Sequence, residues 1–128
     1  MKLLLDSHTL FWWDQFPDHL SPRVHALLSD PTNVLLISVA SLWEMQIKQQ
    51  IGKMEVGVPL EELVRLQQET NNAVVIPVLL SHVLELDNLP FHHRDPFDRI
   101  LIAQARVEEA TLLSRDNVFA QYDVELVW

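Results

Sequence analysis

The chain has 128 residues, 48% hydrophobic and 21% charged, the size and mixture of one globular domain with a core of its own. No run nears the ~20 apolar residues that a bilayer crossing needs, and Asp6 interrupts the opening MKLLLDSHTL before a signal-peptide core could form. A cytoplasmic protein with no membrane partner is therefore expected. The absence of cysteine excludes disulfides, thiolate zinc sites and a cysteine nucleophile, so any metal must sit on oxygen or imidazole. Nine Lys and Arg against eighteen Asp and Glu leave a formal charge of -9, which repels a polyphosphate unless cations or a local basic patch intervene. Such acidity suits a protein that collects divalent cations or docks on a basic partner.

Gly52 and Gly57 are the only glycines and no repeat or low-complexity stretch is visible, so residues 1–128 read as a single domain. Short apolar runs recur at intervals too long for hairpins: Lys2 to Leu5, Val34 to Ile37, Val74 to Ile76, Leu112 to Leu113 and Val124 to Trp128. Each reads as a strand buried on both faces. Helical spacing fills the intervals, with Val39, Trp43, Ile47 and Ile51 on one face, and later Phe97, Leu101 and Ala105 beside Ile100. Leu10, Trp13, Val24, Leu27 and Leu28 form an apolar face of the first two helices, a candidate exposed patch for a second copy or a bound segment. The order β, α, α, β, α, α, β, α, α, β, short helix, β predicts an α/β fold, a three-layer α/β/α sandwich around a central parallel sheet. Ligands of such folds bind beyond the carboxyl ends of the strands, where the strand order reverses.

Acids stand at those ends. Asp6 follows the first strand and Asp116 the fourth, Glu44 lies in the first turns of the helix after the second strand, and Asp98 opens a helix leading to the fourth. Each has an ordinary structural reading, because Asp and Glu are favoured at helix N-termini. Asp6 can cap the helix starting at Ser7; Ser41 and Glu44 match a capping box; Asp95 and Pro96 read as cap and first residue; and Glu44 has Lys48 four residues on. If the four converge, however, their repulsion is tolerated mainly around a divalent cation. All-oxygen ligation suits Mg2+ or Mn2+, which would activate water and stabilise a phosphodiester transition state with one ion or two.

Taken in order, Leu3-Leu4-Leu5-Asp6-Ser7-His8, Ser38-x-x-Ser41-Leu42-Trp43-Glu44, His92-His93-Arg94-Asp95-Pro96-Phe97-Asp98-Arg99-Ile100-Leu101-Ile102-Ala103-Gln104-Ala105 and Ser114-Arg115-Asp116-x-x-Phe119 span essentially the whole chain. This series resembles the PIN domain and, more closely, the VapC-type toxins of bacterial toxin–antitoxin pairs. The resemblance implies a metal-dependent endoribonuclease with a parallel sheet of order 3-2-1-4-5. It carries the family's acidic quartet onto Asp6, Glu44, Asp98 and Asp116, with Asp95 left as the helix cap. Ser114 matches a Thr or Ser position serving a water on the metal, and Ser7 matches the Thr or Ser that usually follows the first acid. It also implies Mg2+ or Mn2+ as cofactor, RNA as substrate, a homodimer, and a small cognate antitoxin that often presents a basic residue to the site.

Arg94, Arg99, Arg115, His92 and His93 lie near these acids and could form a positive rim for RNA phosphates. Arg99 could instead pair with Asp95 four residues earlier. A metal site made of His92 and His93 carries little weight, since adjacent residues rarely chelate one ion. Other classes fit less well. A dehalogenase-like phosphatase would need a second acid where His8 stands, and a receiver domain an acid where Pro77 follows Ile76. The remaining alternative is a PIN-like module that binds RNA or protein without cutting.

Overall fold

Whether an apolar run becomes a strand depends on what covers it, and the leucines of the first run show the rule. In the computed structural model, which describes Met1–Trp128, Leu3 and Leu5 point into one buried cluster and Leu4 into another, as the two-residue period of a strand requires. The strands are β1 (Lys2–Leu5), β2 (Val34–Ser38), β3 (Val74–Ile76), β4 (Thr111–Leu113) and β5 (Leu126–Val127), all parallel, in the order β3-β2-β1-β4-β5. The helices are α1 (Ser7–Gln15), α2 (Pro22–Ser29), α3 (Val39–Gln50), α4 (Leu60–Asn71), α5 (Leu80–Glu85) and α6 (Pro96–Val107). The expected alternation and strand order are both observed, as an α/β sandwich.

One cluster joins Leu3, Leu5, Leu35, Ile37 and Leu113 to Leu10, Val24, Leu28, Met45 and Leu63, seating α1, α2 and α4 on one face of the sheet. The other joins Leu4, Leu36 and Leu112 to Leu101, Ala105, Phe119 and Tyr122, seating α6 on the opposite face. Each fully buried leucine contributes about 1.5–3 kcal/mol. The middle strands hold five that are almost wholly inaccessible, Leu3, Leu4, Leu5, Leu112 and Leu113, with the equally buried Ile37 beside them. That rigid centre fixes where the chain emerges at the carboxyl ends. No helix is long and apolar enough to cross a membrane.

Burial corrects four details. At the sheet edge, β3 is less covered than expected, and Val74 is exposed. The final strand starts at Leu126 rather than Val124, because Val124 N–H is still turning back onto the Tyr122 carbonyl. On α3 the inward side is made by Ala40, Ser41 and Met45, so the Val39, Trp43 and Ile51 stripe faces outward, with Trp43 edge-on to Phe97 at 5.1 Å. Small side chains let that helix approach the sheet closely, and the bulky ones are left outside. Conversely, the apolar face of the first two helices is used internally: Leu10, Val24 and Leu28 are buried, with Trp13 and Leu27 packed against them.

Candidate active site

The strand order reverses between β1 and β4. Leu5 and Leu113 are in register there, so Asp6 and Ser114 leave the sheet side by side. Asp6 N–H donates to the Leu113 carbonyl at 3.3 Å. Its carboxylate caps α1, accepting the Thr9 N–H at 2.8 Å, and also accepts the Ser114 hydroxyl at 2.5 Å. The same hydroxyl oxygen accepts Asp116 N–H at 3.1 Å, so Ser114 links the two acids. Burial pushes the Asp6 carboxyl up from its ordinary value, against the lowering effect of both hydrogen bonds.

A second group of acids comes from the helices. Ser38 ends β2 and caps α3, accepting Ala40 N–H at 3.1 Å, in place of the Ser41 cap that spacing suggested. Glu44 lies one turn further along, held by the Ser7 hydroxyl at 2.7 Å and by Lys48 at 3.5 Å. Asp95 caps α6, accepting Phe97 N–H at 2.8 Å and Asp98 N–H at 3.2 Å, with Pro96 as the first helical residue. Asp98 therefore projects from the first turn, with its Oδ2 at 2.7 Å from His93 Nε2.

Asp98 joins two sets of potential ligands. One oxygen each of Glu44, Asp95 and Asp98 lie within 4.8 Å of one another, and so do single ligand atoms of His93, Asp98 and Asp116. Burial, followed by the charges of Asp95 and Glu44, pushes the Asp98 carboxyl up to about 6 despite its bond to His93. Carboxylates crowded in this way, with one imidazole and no thiolate, form a donor set that fits a hard or borderline divalent cation. Beside them a hollow of about 230 Å³ is lined by Asp6, His8, Trp12, Arg115 and Asp116.

Of the predicted acids, Glu44, Asp98 and Asp116 fall within these sets, whereas Asp6 belongs to neither and is tied to Asp116 through Ser114, with Ser7 bonded to Glu44. Arg94 and Arg115 are exposed, Arg115 at the hollow. His92 is also exposed, its ring edge-on to Tyr122 at 5.2 Å. Arg99 departs from both sequence readings: it is buried and pairs with no acid. Its guanidinium donates to the carbonyls of Leu89 (3.3 Å), Pro90 (2.9 Å) and His93 (3.3 Å) and lies 4.2 Å from the Phe91 ring centroid. It clasps the loop before α6 rather than facing solvent. The sequence reading missed the His93 contact with Asp98 and the nearness of Asp95 to Glu44. Neither has a periodic signal, because both depend on how that loop folds back.

Fold and site define a doubly wound α/β protein with a carboxylate centre at its topological switch point. Residues 3–125 match the family model of the PIN domain, and the chain belongs to that family. Solved structures of the same fold include VapBC2 from Rickettsia felis bound to a DNA fragment from their promoter, at 16% identity and a TM-score of 0.74 over 99% of this chain and 98% of that one. VapBC-1 from nontypeable Haemophilus influenzae is similar at 20% identity and 0.63, over 99% and 97%. FitAcB from Neisseria gonorrhoeae is similar at 15% and 0.63, over 98% and 96%. No curated protein matches the sequence.

Proposed function

We propose that this chain is a divalent-metal-dependent endoribonuclease, the toxin of a toxin–antitoxin pair, formed by one PIN domain over residues 1–128. Asp6, Glu44, Asp98 and Asp116 are its acids. The observation carrying this reading is the meeting of carboxylates from separate segments around Asp98, where burial and like charge oppose ionisation. Membership of the PIN family and likeness to toxin–antitoxin structures support it.

Asp98, Asp116, Asp6 and Glu44 would hold Mg2+ or Mn2+. When bound, the ion lowers the pKa of a water and offsets charge on the phosphate in the transition state. The chain's own groups set the geometry. Ser114 fixes the Asp6 carboxylate and the Asp116 backbone, while Ser7 and Lys48 orient Glu44. Arg115 and Arg94 stand exposed to hold RNA phosphates beside an otherwise acidic body. The partners proposed are RNA, a small antitoxin covering the acids and a second copy of the chain, in a cytoplasmic setting.

The test is cleavage of structured and single-stranded RNAs by purified protein in Mg2+, Mn2+ or EDTA, beside Asp6→Asn. Cuts that need metal and disappear in the variant, with a loss on the order of 10²–10³-fold for one electrostatic group, are expected. Equal cutting by the variant would sink the assignment. No cutting by any sample, after removal of co-purifying protein, would favour the binding module.

A further inference from the structure

The loop before α6 is held in place more firmly than its lack of regular structure suggests. His93 N–H donates to the Tyr122 hydroxyl at 2.8 Å, and its carbonyl accepts Arg99 at 3.3 Å. Arg99 lies 3.4 Å from that same hydroxyl. Both peptide groups of His93 are therefore engaged by buried side chains, and its imidazole extends toward Asp98 with a quarter of its surface exposed. Anchoring of this kind keeps a side chain in position before any ligand arrives.

The distances fit coordination. Two donors about 2.1 Å from one ion at right angles to each other lie about 3.0 Å apart, and opposed donors about 4.2 Å apart. His93 Nε2 and Asp98 Oδ2 are separated by 2.7 Å, and with Asp116 the set stays within 4.8 Å. Small side-chain shifts would bring all three within reach of one ion. The neighbouring set of Glu44, Asp95 and Asp98 offers oxygen alone.

We propose that His93 is a nitrogen ligand of the cation held by Asp98 and Asp116, which biases this site toward ions that accept imidazole, such as Mn2+ or Co2+, over Mg2+. The inference rests on the proposed acidic metal site and goes beyond it by adding a ligand outside the quartet. Nε2 binds through its lone pair while Nδ1 keeps the ring proton, so the imidazole remains neutral. Imidazole stabilises later first-row ions and adds little for Mg2+, which prefers oxygen and retained water. The competing arrangement keeps His93 as a hydrogen-bond partner that only orients Asp98.

The metal alone distinguishes the two. Calorimetric titration of Mg2+ and Co2+ into the purified chain, His93→Gln and Asp98→Asn is paired with pulsed EPR of the Mn2+ complex. Glutamine can still hydrogen-bond Asp98 but is a poor ligand for Co2+. The expected result is a Co2+ affinity about 10- to 100-fold weaker in His93→Gln with Mg2+ affinity within about threefold, and a directly bound 14N coupling on Mn2+ that this substitution removes. Equal losses for both ions, or a 14N coupling absent from the unmutated chain or persisting in the variant, would overturn the proposal. If Asp98→Asn abolishes binding while His93→Gln changes neither ion, only the histidine ligand fails. If Asp98→Asn also leaves binding unchanged, the acidic metal site itself fails. The EPR measurement on unmutated protein decides the question even where a variant does not fold.

Discussion

Asp6 is a buried and Asp98 a partly buried carboxyl at the same edge of the sheet, and the fold treats them differently. Asp6 sits beyond a central strand and receives two hydrogen bonds, from Thr9 N–H and Ser114 Oγ, that favour its charge. Asp98 sits on the first turn of a helix, receives one side-chain contact from His93, and faces the charges of Asp95 and Glu44. Burial raises both, but neighbours relieve the first and aggravate the second. The difference separates an acid whose neighbours partly offset its burial from one whose acidic neighbours add to it, and Asp98 is the one shared by both ligand sets.

The contrast can be broken most strongly at Asp98. Its folded value of about 6 exceeds the ordinary 3.8, so its contribution to stability is fully present below about 3.8 and is lost as pH rises through about 6. A shift of this size corresponds to about 2–3 kcal/mol at neutral pH. In chelator, Asp98→Asn should therefore be more stable than the unmutated chain by up to that amount at pH 7 and nearly equal to it at pH 4. Urea denaturation at the two pH values measures this. A variant equally destabilised at both would show that Asp98 holds the fold together rather than straining it.

How much of this contrast was legible in the sequence follows from where each residue gets its position. Asp6, Asp95 and Asp98 lie next to elements with strong local signals, a run of leucines or an Asp-Pro helix start, and their places were readable. Strand order was readable through the family resemblance, and crossover logic supplied the layers. Trp43 misled, since its helical spacing with Val39 and Ile51 mimics a core face, whereas Ala40, Ser41 and Met45 make the buried one. Arg99 misled too, because four-residue spacing from Asp95 suggested a surface pair. Its carbonyl partners lie on an irregular loop whose path no periodicity encodes. The His93 contact with Asp98 was hidden for the same reason.

The next test sharpens the Asp6 side. Ser114→Ala removes a hydrogen bond that lowers the Asp6 carboxyl, so that carboxyl moves further up and its ionised form becomes more costly in the folded state. About 2 kcal/mol of stability should be lost at pH 7. Less should be lost at acid pH, where protonation removes the charge that the hydroxyl stabilised. Equal loss at both values would mean that Ser114 contributes packing and the Asp116 backbone bond, not support of the Asp6 charge.

Lys48 gives the smallest expected effect and tests whether Glu44 belongs with Asp6 or with Asp98. Glu44 accepts the Ser7 hydroxyl at 2.7 Å, as Asp6 accepts Ser114, but it also shares the Asp98 cluster. The Lys48 ammonium lies 3.5 Å from its second oxygen across one helical turn, and a quarter of the lysine side chain is exposed. Pairs of this kind contribute about 0.3–0.5 kcal/mol. In chelator, Lys48→Met should cost about that much if Ser7 is the main support of Glu44. A loss several times larger, abolished by the additional change Asp98→Asn, would show that the lysine offsets repulsion across the whole cluster and that Glu44 is strained with Asp98 rather than held like Asp6.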